Sequence, residues 1–214
     1  MMKETNTAIT GGMYLVINPA IDEELLLNKL KASLNAGLQA VQLWDNWLPD
    51  ADKHSLINQA GGLCKSHNVP LLINNDWALL ENNLLLGGVH FDEIPGDIAA
   101  IRAWVGREFI AGITCTDDLE PVFYAKANGF DYVSFCAMFS SPSAGNCSIV
   151  MPDTVRKARA LTAMPLFVSG GITPGNAGQL KATIPFDGIA VISGIMSADD
   201  PTEIIKQYKV AAGI

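Results

Sequence analysis

The chain is poor in positive charge and lacks the signatures of several common protein classes. Its 214 residues carry 14 Lys and Arg against 22 Asp and Glu, a formal net charge of −8, and the basic residues form no run. This balance argues against binding of nucleic acid or of an anionic membrane surface. No apolar run reaches the ~18 residues that a membrane-spanning helix needs. The polar opening of the chain does not resemble a secretory signal.

Cysteines are few, and nucleotide-binding motifs are missing. The four cysteines show no Cys-x-x-Cys spacing, which argues against a zinc site or a disulfide framework. The sequence has neither a G-x-G-x-x-G motif after its first predicted strand nor a P-loop, so a dinucleotide or P-loop fold is not favoured. With 49% hydrophobic and 17% charged residues, the composition predicts a soluble globular protein of the cytoplasm.

Short apolar segments alternate with amphipathic segments of helical length. The predicted strands are 13–18, 40–44, 71–74, 88–91, 110–114, 132–136, 166–169 and 188–192. The predicted helices include 23–35, 51–66, 98–105, 119–127, 153–161 and 201–209. Near-continuous apolar runs suit parallel strands that are buried on both faces. The pattern predicts an α/β fold, a single-domain (β/α)8 TIM barrel over 13–214 after a flexible tail over 1–12, with an open doubly wound sheet as the alternative.

In such a barrel, the loops at the carboxyl ends of the strands carry the function. Glycines follow the seventh and eighth predicted strands at Gly170, Gly171 and Gly194. They let backbone N–H groups approach an anion, so the sequence predicts a phosphate site there. The alternative is that these glycines only make tight turns.

No Lys or Arg stands at the end of a predicted strand. The basic residues fall on predicted helices, on the approaches to strands or in the tail. A diphosphate carries about three negative charges, and its sites normally supply Lys, Arg or a metal. The sequence therefore predicts a mouth that holds one phosphate through the backbone and a diphosphate poorly.

Aromatic and acidic side chains follow strands 2 to 4. Trp44, Trp47 and Trp77 predict either a wall for a heteroaromatic ring or a cap on the barrel or a subunit interface. The acidic side chains that could share a Mg²⁺ ion, or be solvated loop residues, are Asp76, Asp92 and Glu93.

Two further side chains are candidates for chemistry. His90 ends the fourth predicted strand, where it could act as an acid or base, or be a hydrogen-bonded part of the scaffold. Cys115 is a candidate nucleophile, although a small buried residue is the more common role.

Several segments together resemble one family. They include Val69-Pro-Leu-Leu-Ile-Asn-Asn-Asp76, Gly88-Val-His90, Asp131-Tyr-Val-Ser-Phe, Val168-Ser-Gly-Gly-Ile-Thr-Pro and Gly188-Ile-Ala-Val-Ile-Ser-Gly-Ile195. Their order and spacing resemble the thiamine phosphate synthase family, which also contains thiazole tautomerases of the TenI type on the same barrel. The resemblance implies a reaction that joins hydroxymethylpyrimidine diphosphate to thiazole phosphate, with Mg²⁺ and basic side chains stabilising the departing diphosphate.

The resemblance also implies roles for individual residues. Substrate-binding positions of the family are matched by Gln42, Asn75, Thr114, Gly171, Ile192 and Ser193. The implied catalytic residues are Asp76, which matches the family's Mg²⁺-binding Asp, and Ser141 and Ser143, which match two Thr of the loop after strand 6.

The departures from the family pattern lie on the diphosphate side. Trp44 stands where the family has an Arg, Asn46 where it has a Lys, and Pro95 where it has the second metal-binding Asp. The resemblance therefore predicts a thiamine phosphate synthase with an impaired or altered diphosphate site, in which Asp92 or Glu93 replaces the missing carboxylate.

Two other functions stay open from the sequence. One is a non-catalytic protein that binds a phosphorylated heteroaromatic ligand. The other is a TenI-like isomerase with His90 or Asp76 as its base. A small phosphorylated heterocycle is the expected partner in each case, and a homo-oligomer is compatible with all of them.

Overall fold

Eight parallel strands close into a barrel in which each strand pairs with its neighbours in sequence. The computed structural model describes residues 8–140 and 148–214. Its strands are β1 (Gly12–Ile17), β2 (Ala40–Leu43), β3 (Leu71–Asn74), β4 (Leu86–Phe91), β5 (Ile110–Cys115), β6 (Tyr132–Phe135), β7 (Leu166–Val168) and β8 (Gly188–Val191). β1 also pairs with β8, through Tyr14 and Ala190 among others, which closes the sheet. The predicted (β/α)8 barrel is therefore confirmed, and the open sheet is excluded.

Helices surround the barrel. Those in the described residues are α1 (Glu23–Asn35), α2 (Lys53–Ser66), α3 (Leu79–Asn82), α4 (Ile98–Val105), α5 (Glu120–Ala127), α6 (Pro152–Leu161), α7 (Pro174–Thr183), α8 (Ser193–Met196) and α9 (Pro201–Ala212). α7 is not among the sequence-predicted helices named above, and it contains two glycines, Gly175 and Gly178, which weaken a helical pattern. The structure anchors α7 with a reciprocal cap between Thr173 and Asn176. None of the described helices is long and apolar enough to cross a bilayer.

Four helices have an aspartate as their N-cap residue. These N-caps lie at the end of the barrel where the strands finish. Asp22, Asp52, Asp97 and Asp200 each accept a hydrogen bond from a backbone N–H in the first turn of the helix that follows. Because a helix that follows a parallel strand starts at the carboxyl end of that strand, the first residues of these helices border the barrel mouth.

Large aromatic rings fill the barrel interior. Tyr14, Tyr132 and Phe167 meet edge to face, with ring centroids 5.5 to 5.8 Å apart. Glycines opposite them make room, since a Cβ on Gly112 would lie 2.0 Å from Tyr132 Cζ and one on Gly188 would lie 2.2 Å from Phe167 Cε1. The interior is therefore a packed core with large and small residues alternating around the barrel.

Packed structure begins before the predicted boundary at residue 13. Ile9 is only 3% exposed and belongs to the same interior cluster as Tyr14 and Phe167. The backbone N–H of Gly12 bonds to the carbonyl of Asp187. The predicted flexible tail over 1–12 thus extends too far. A single apolar residue, Ile9, gives a weak sequence signal, although in the structure it packs in the interior cluster.

Candidate active site

Polar side chains form one continuous set of hydrogen bonds through the interior, which we call the lumen network. Its members are Thr114, His90, Tyr132, Tyr14, Gln42, Asn74 and Asp92. Successive polar atoms along it are 2.8 to 3.0 Å apart. Strand register explains the assembly, because Asn74 lies opposite His90 and His90 opposite Gly112, so that all these side chains point inward. The network ends at the mouth, where Asp92 is exposed.

His90 is held as a neutral part of this network. Its Nδ1 lies 2.8 Å from the Tyr132 hydroxyl and its Nε2 lies 2.9 Å from Thr114 Oγ1. Burial lowers the pKa of His90 from 6.5 to about 4, and burial also raises the pKa of the Tyr14 and Tyr132 hydroxyls. With both ring nitrogens engaged, His90 is not placed to act as the base of an isomerase.

The shifted pKa of His90 predicts a loss of stability in mild acid. The unfolded chain takes up a proton near pH 6.5, but the folded chain resists protonation until about pH 4. Stability is therefore fully present above the unfolded value and is lost as the pH falls toward the folded one. We expect the free energy of unfolding to drop by about 2 kcal/mol between about pH 7 and pH 5 from this group. Urea unfolding at both pH values measures it, and an equal drop in His90→Gln would assign the loss to other groups.

A lysine reaches the mouth, contrary to the predicted absence of cations. Lys53 Nζ lies 3.0 Å from Asp76 Oδ2, and both side chains are 36% exposed. The same ammonium lies 5.5 Å from the centre of the Trp47 ring. The prediction that no cation stands at a strand exit is wrong because Lys53 was assigned only to a helix, and it is the first residue of α2, at the end of the helix that borders the mouth.

The carboxylates predicted to share Mg²⁺ are engaged separately. Asp76 pairs with Lys53, whereas Asp92 Oδ2 accepts bonds from the amides of Asn74 and Asn75 at 3.0 and 2.8 Å. Across the ranges that the structure describes, no three His, Cys, Asp or Glu side chains gather as metal ligands. Asp76 and Asp92 thus each have a protein partner, and a Mg²⁺ ion held by one or two of these carboxylates together with a substrate phosphate stays a prediction of the sequence.

Two adjacent asparagines, at the end of β3 and directly after it, have different roles. The amide that ends β3 and lies in the lumen is Asn74, which is 2% exposed. Asn75 instead adopts a positive φ of 56°, and its Oδ1 accepts a bond from the backbone N–H of Asp92. It thus fixes the loop after β4 onto the loop after β3.

The loop after β7 has the form of a phosphate cradle. Gly170 and Gly171 have positive φ values of 83° and 65°, and in the described part of the chain the N–H groups of Gly170, Gly171 and Ile172 donate to no backbone carbonyl. Free consecutive N–H groups in such a turn suit an anion. Ser193 begins α8 after β8. Gly194 has a packing role instead, because a Cβ there would lie 2.4 Å from the Tyr208 hydroxyl.

The predicted tryptophan wall is not one surface. Trp44 packs with Ile192 against the interior cluster, whereas Trp47 and Trp77 pack against the outer core between barrel and helices. A cavity of about 590 Å³ opens beside Trp77, Asp92 and Glu93. Trp44 therefore packs on the interior side, and Trp47 and Trp77 pack on the side of the surrounding helices.

The remaining predicted residues have separate outcomes. Ser141 and Ser143 lie outside the described residues. Cys115 is fully buried and burial raises the pKa of its thiol to about 12, so it has the role of a small core residue. Sequence reasoning missed Tyr14, Tyr132 and Lys53; the available signals were inward strand positions for the tyrosines and the place directly after the capping Asp52 for the lysine.

The chain is similar in sequence to proteins of one family. The profile of the family described as thiamine monophosphate synthase matches residues 13–195. The thiamine-phosphate synthase of Xanthomonas campestris pv. campestris is 38% identical over 146 residues, which cover 68% of this chain and 69% of that protein. The thiamine-phosphate synthase of Thiobacillus denitrificans is 31% identical over 192 residues, covering 89% of each.

Solved structures show the same fold. The thiamine phosphate pyrophosphorylase of Pyrococcus furiosus superposes with a TM-score of 0.77 at 20% identity, covering 94% of this chain and 95% of that one. Fold and mouth thus define a (β/α)8 barrel with a glycine turn after β7 and a hydrogen-bonded polar network in its interior. By sequence, the chain belongs to the thiamine monophosphate synthase family.

Proposed function

We propose that this protein catalyses a reaction of the thiamine phosphate synthase type with an altered diphosphate site. In that reaction the bond between the pyrimidine methylene carbon and the diphosphate oxygen breaks. The ring nitrogen of thiazole phosphate then forms a bond to the same carbon, and diphosphate leaves. Family membership together with the cradle of Gly170, Gly171 and Ile172 supports the proposal.

The thiazole-phosphate half of the site is the better supported. The loops after β7 and β8 are where barrels of this kind usually bind phosphate, and their backbone N–H groups offer donors without a buried charge. Ile192 and Trp44, which pack against the interior cluster at the mouth, would border the ring. The substrate is accordingly a small phosphorylated heterocycle.

The diphosphate half has different donors from those of the family pattern. Lys53 keeps two ammonium protons beyond its bond to Asp76. Close to it, the Trp47 indole N–H is buried without an acceptor among the described residues. Both groups would donate to a phosphoryl oxygen of the diphosphate, and no step is routed through Mg²⁺.

The direct test supplies purified protein with hydroxymethylpyrimidine diphosphate and thiazole phosphate, and follows thiamine phosphate by chromatography. We expect turnover that depends on both substrates. No product, combined with calorimetric binding of thiazole phosphate alone, would refute catalysis and indicate a binding protein.

Lys53→Ala tests the altered half. Loss of a charge-assisted contact should lower kcat/KM for the pyrimidine diphosphate about tenfold, with the KM of thiazole phosphate unchanged. Lys65→Ala is the matched control, because Lys65 lies in the last turn of the same helix, away from the mouth. Steady-state kinetics with each substrate varied measures the effect. Equal kinetic constants in the two variants would show that Lys53 does not bind the diphosphate.

A further inference from the structure

We propose that the lumen network is polarised in one direction, with every donor pointing toward Asp92, and that it thereby positions Thr114 and Asp92 as hydrogen-bond acceptors for the ligand. His90, Tyr132 and Tyr14 act in it as positioning residues. The polarity follows from the hydrogen bonds alone; only the identity of the ligand rests on the proposed function.

The direction is set at the Asp92 end. An ionised carboxylate only accepts hydrogen bonds, so the group that faces Asp92 Oδ2 at 3.0 Å must be Asn74 Nδ2. The same Nδ2 lies 3.4 Å from the backbone carbonyl of His90, which also only accepts. Two acceptors thus fix the orientation of the Asn74 amide and turn its Oδ1 toward Gln42.

The direction of each following hydrogen bond is then fixed by the one before it. Gln42 Nε2 donates to Asn74 Oδ1 at 2.9 Å, so Gln42 Oε1 is turned to accept from the Tyr14 hydroxyl at 2.8 Å. The Tyr14 oxygen must in turn accept from the Tyr132 hydroxyl, 2.8 Å away. Since the single proton of Tyr132 is used there, its oxygen accepts from His90 Nδ1–H.

His90 fixes the direction of the last hydrogen bond, which joins it to Thr114. A neutral imidazole protonated at Nδ1 has a lone pair at Nε2, and an unpaired imidazolium in so buried a place would be costly. Nε2 therefore accepts from the Thr114 hydroxyl at 2.9 Å. The proton of Thr114 is committed inward, and only its lone pairs remain for a ligand.

Both ends of the network consequently accept hydrogen bonds. Aligned bonds of this kind polarise one another, so the Thr114 oxygen, whose proton is donated into the network, becomes a stronger acceptor for a ligand. The ligand that suits such a mouth is a heteroaromatic ring that presents N–H donors or a positive charge. Under the proposed function, the positively charged thiazolium ring of thiamine phosphate has this character and the neutral ring of thiazole phosphate does not.

The tautomer of His90 is a direct readout. The chain has three histidines, so long-range ¹H–¹⁵N correlation spectra of protein labelled in histidine resolve each ring, and His90→Gln assigns the His90 signals. We expect His90 to be neutral near pH 7, with the proton on Nδ1. A proton on Nε2 would overturn the proposal.

Variants test whether the network sets that tautomer. Tyr132→Phe removes the acceptor of Nδ1–H, and we expect the proton to shift wholly or partly to Nε2. Tyr124→Phe is the control, since its hydroxyl donates to Pro95 outside the network. Asp92→Asn, at an exposed position, removes the fixed end and should give a mixture of tautomers if Tyr132→Phe does not fold. An unchanged Nδ1–H state in both network variants would contradict the proposal.

Calorimetry tests the ligand side. Asp92→Asn should weaken binding of thiamine phosphate about tenfold, because a charge-assisted contact is lost, and leave thiazole phosphate binding within about twofold. Equal weakening of both ligands would contradict the assignment of Asp92. If the unmodified protein binds neither compound, the proposed function fails, and the histidine spectra alone decide whether the network is polarised.

Discussion

Gly112→Ala is expected to destabilise the protein by about 3 kcal/mol or more, because it overfills a packed interior. The added Cβ would lie 2.0 Å from Tyr132 Cζ and 2.4 Å from the Tyr132 hydroxyl. Tyr132 cannot retreat, since its ring contacts Tyr14 and Phe167. For a chain of this length the loss corresponds to a fall in melting temperature of about 10 °C, measurable by calorimetry or circular dichroism.

Gly62→Ala is the matched control for this experiment. Gly62 is exposed within α2, and a Cβ there meets nothing within 4 Å. The same substitution should raise stability by ~0.5–1 kcal/mol, because alanine favours the helix. Similar melting temperatures for the two variants would show that the interior yields to an added methyl group.

Gly171→Ala is expected to lower kcat/KM for thiazole phosphate by about a hundredfold, with the pyrimidine diphosphate affected less. Gly171 has a φ of 65°, and its Cβ would lie 2.7 Å from Phe139 Cβ and 2.8 Å from the Ser140 carbonyl oxygen. The loop must therefore move, and the backbone N–H groups of Gly170, Gly171 and Ile172 move with it. Calorimetric titration with thiazole phosphate gives the change in affinity directly.

Gly175→Ala is the control that distinguishes loss of the phosphate-binding loop from a general loss of stability. Gly175 lies four residues further on, in the first turn of α7, and the nearest atom to an added Cβ is Thr173 Oγ1 at 3.7 Å. We expect its kinetics to match the unmodified protein. If Gly171→Ala binds thiazole phosphate with full affinity, the phosphate does not lie on this loop.

The fold and half of the site were predictable from local sequence. Runs such as Tyr14-Leu-Val-Ile17 are apolar throughout, and a strand with two buried faces requires that pattern wherever it lies. Gly170 and Gly171 follow the strand that places them at the mouth. Their positive φ values agree with the expected turn.

Other parts of the site depended on contacts between distant residues. Lys53 and Asp76 are 23 positions apart, and Tyr14 and Tyr132 are 118 apart. In the sequence, Lys53 is one polar residue of an amphipathic helix and each tyrosine is one apolar residue of a strand. Both interpretations describe the secondary structure correctly, but neither predicts which distant side chain each residue contacts.

The sequence by itself determined the alternation of strands and helices, the family and the position of the glycine turn after β7, because each depends on the periodicity or order of neighbouring residues; the structure excluded the open sheet. Only the tertiary structure decided that Lys53 borders the mouth, that it pairs there with Asp76, and that seven polar side chains join in the lumen. Hydrogen bonds and ion pairs depend on distances of about 3 Å between groups from different strands, and barrel closure sets those distances.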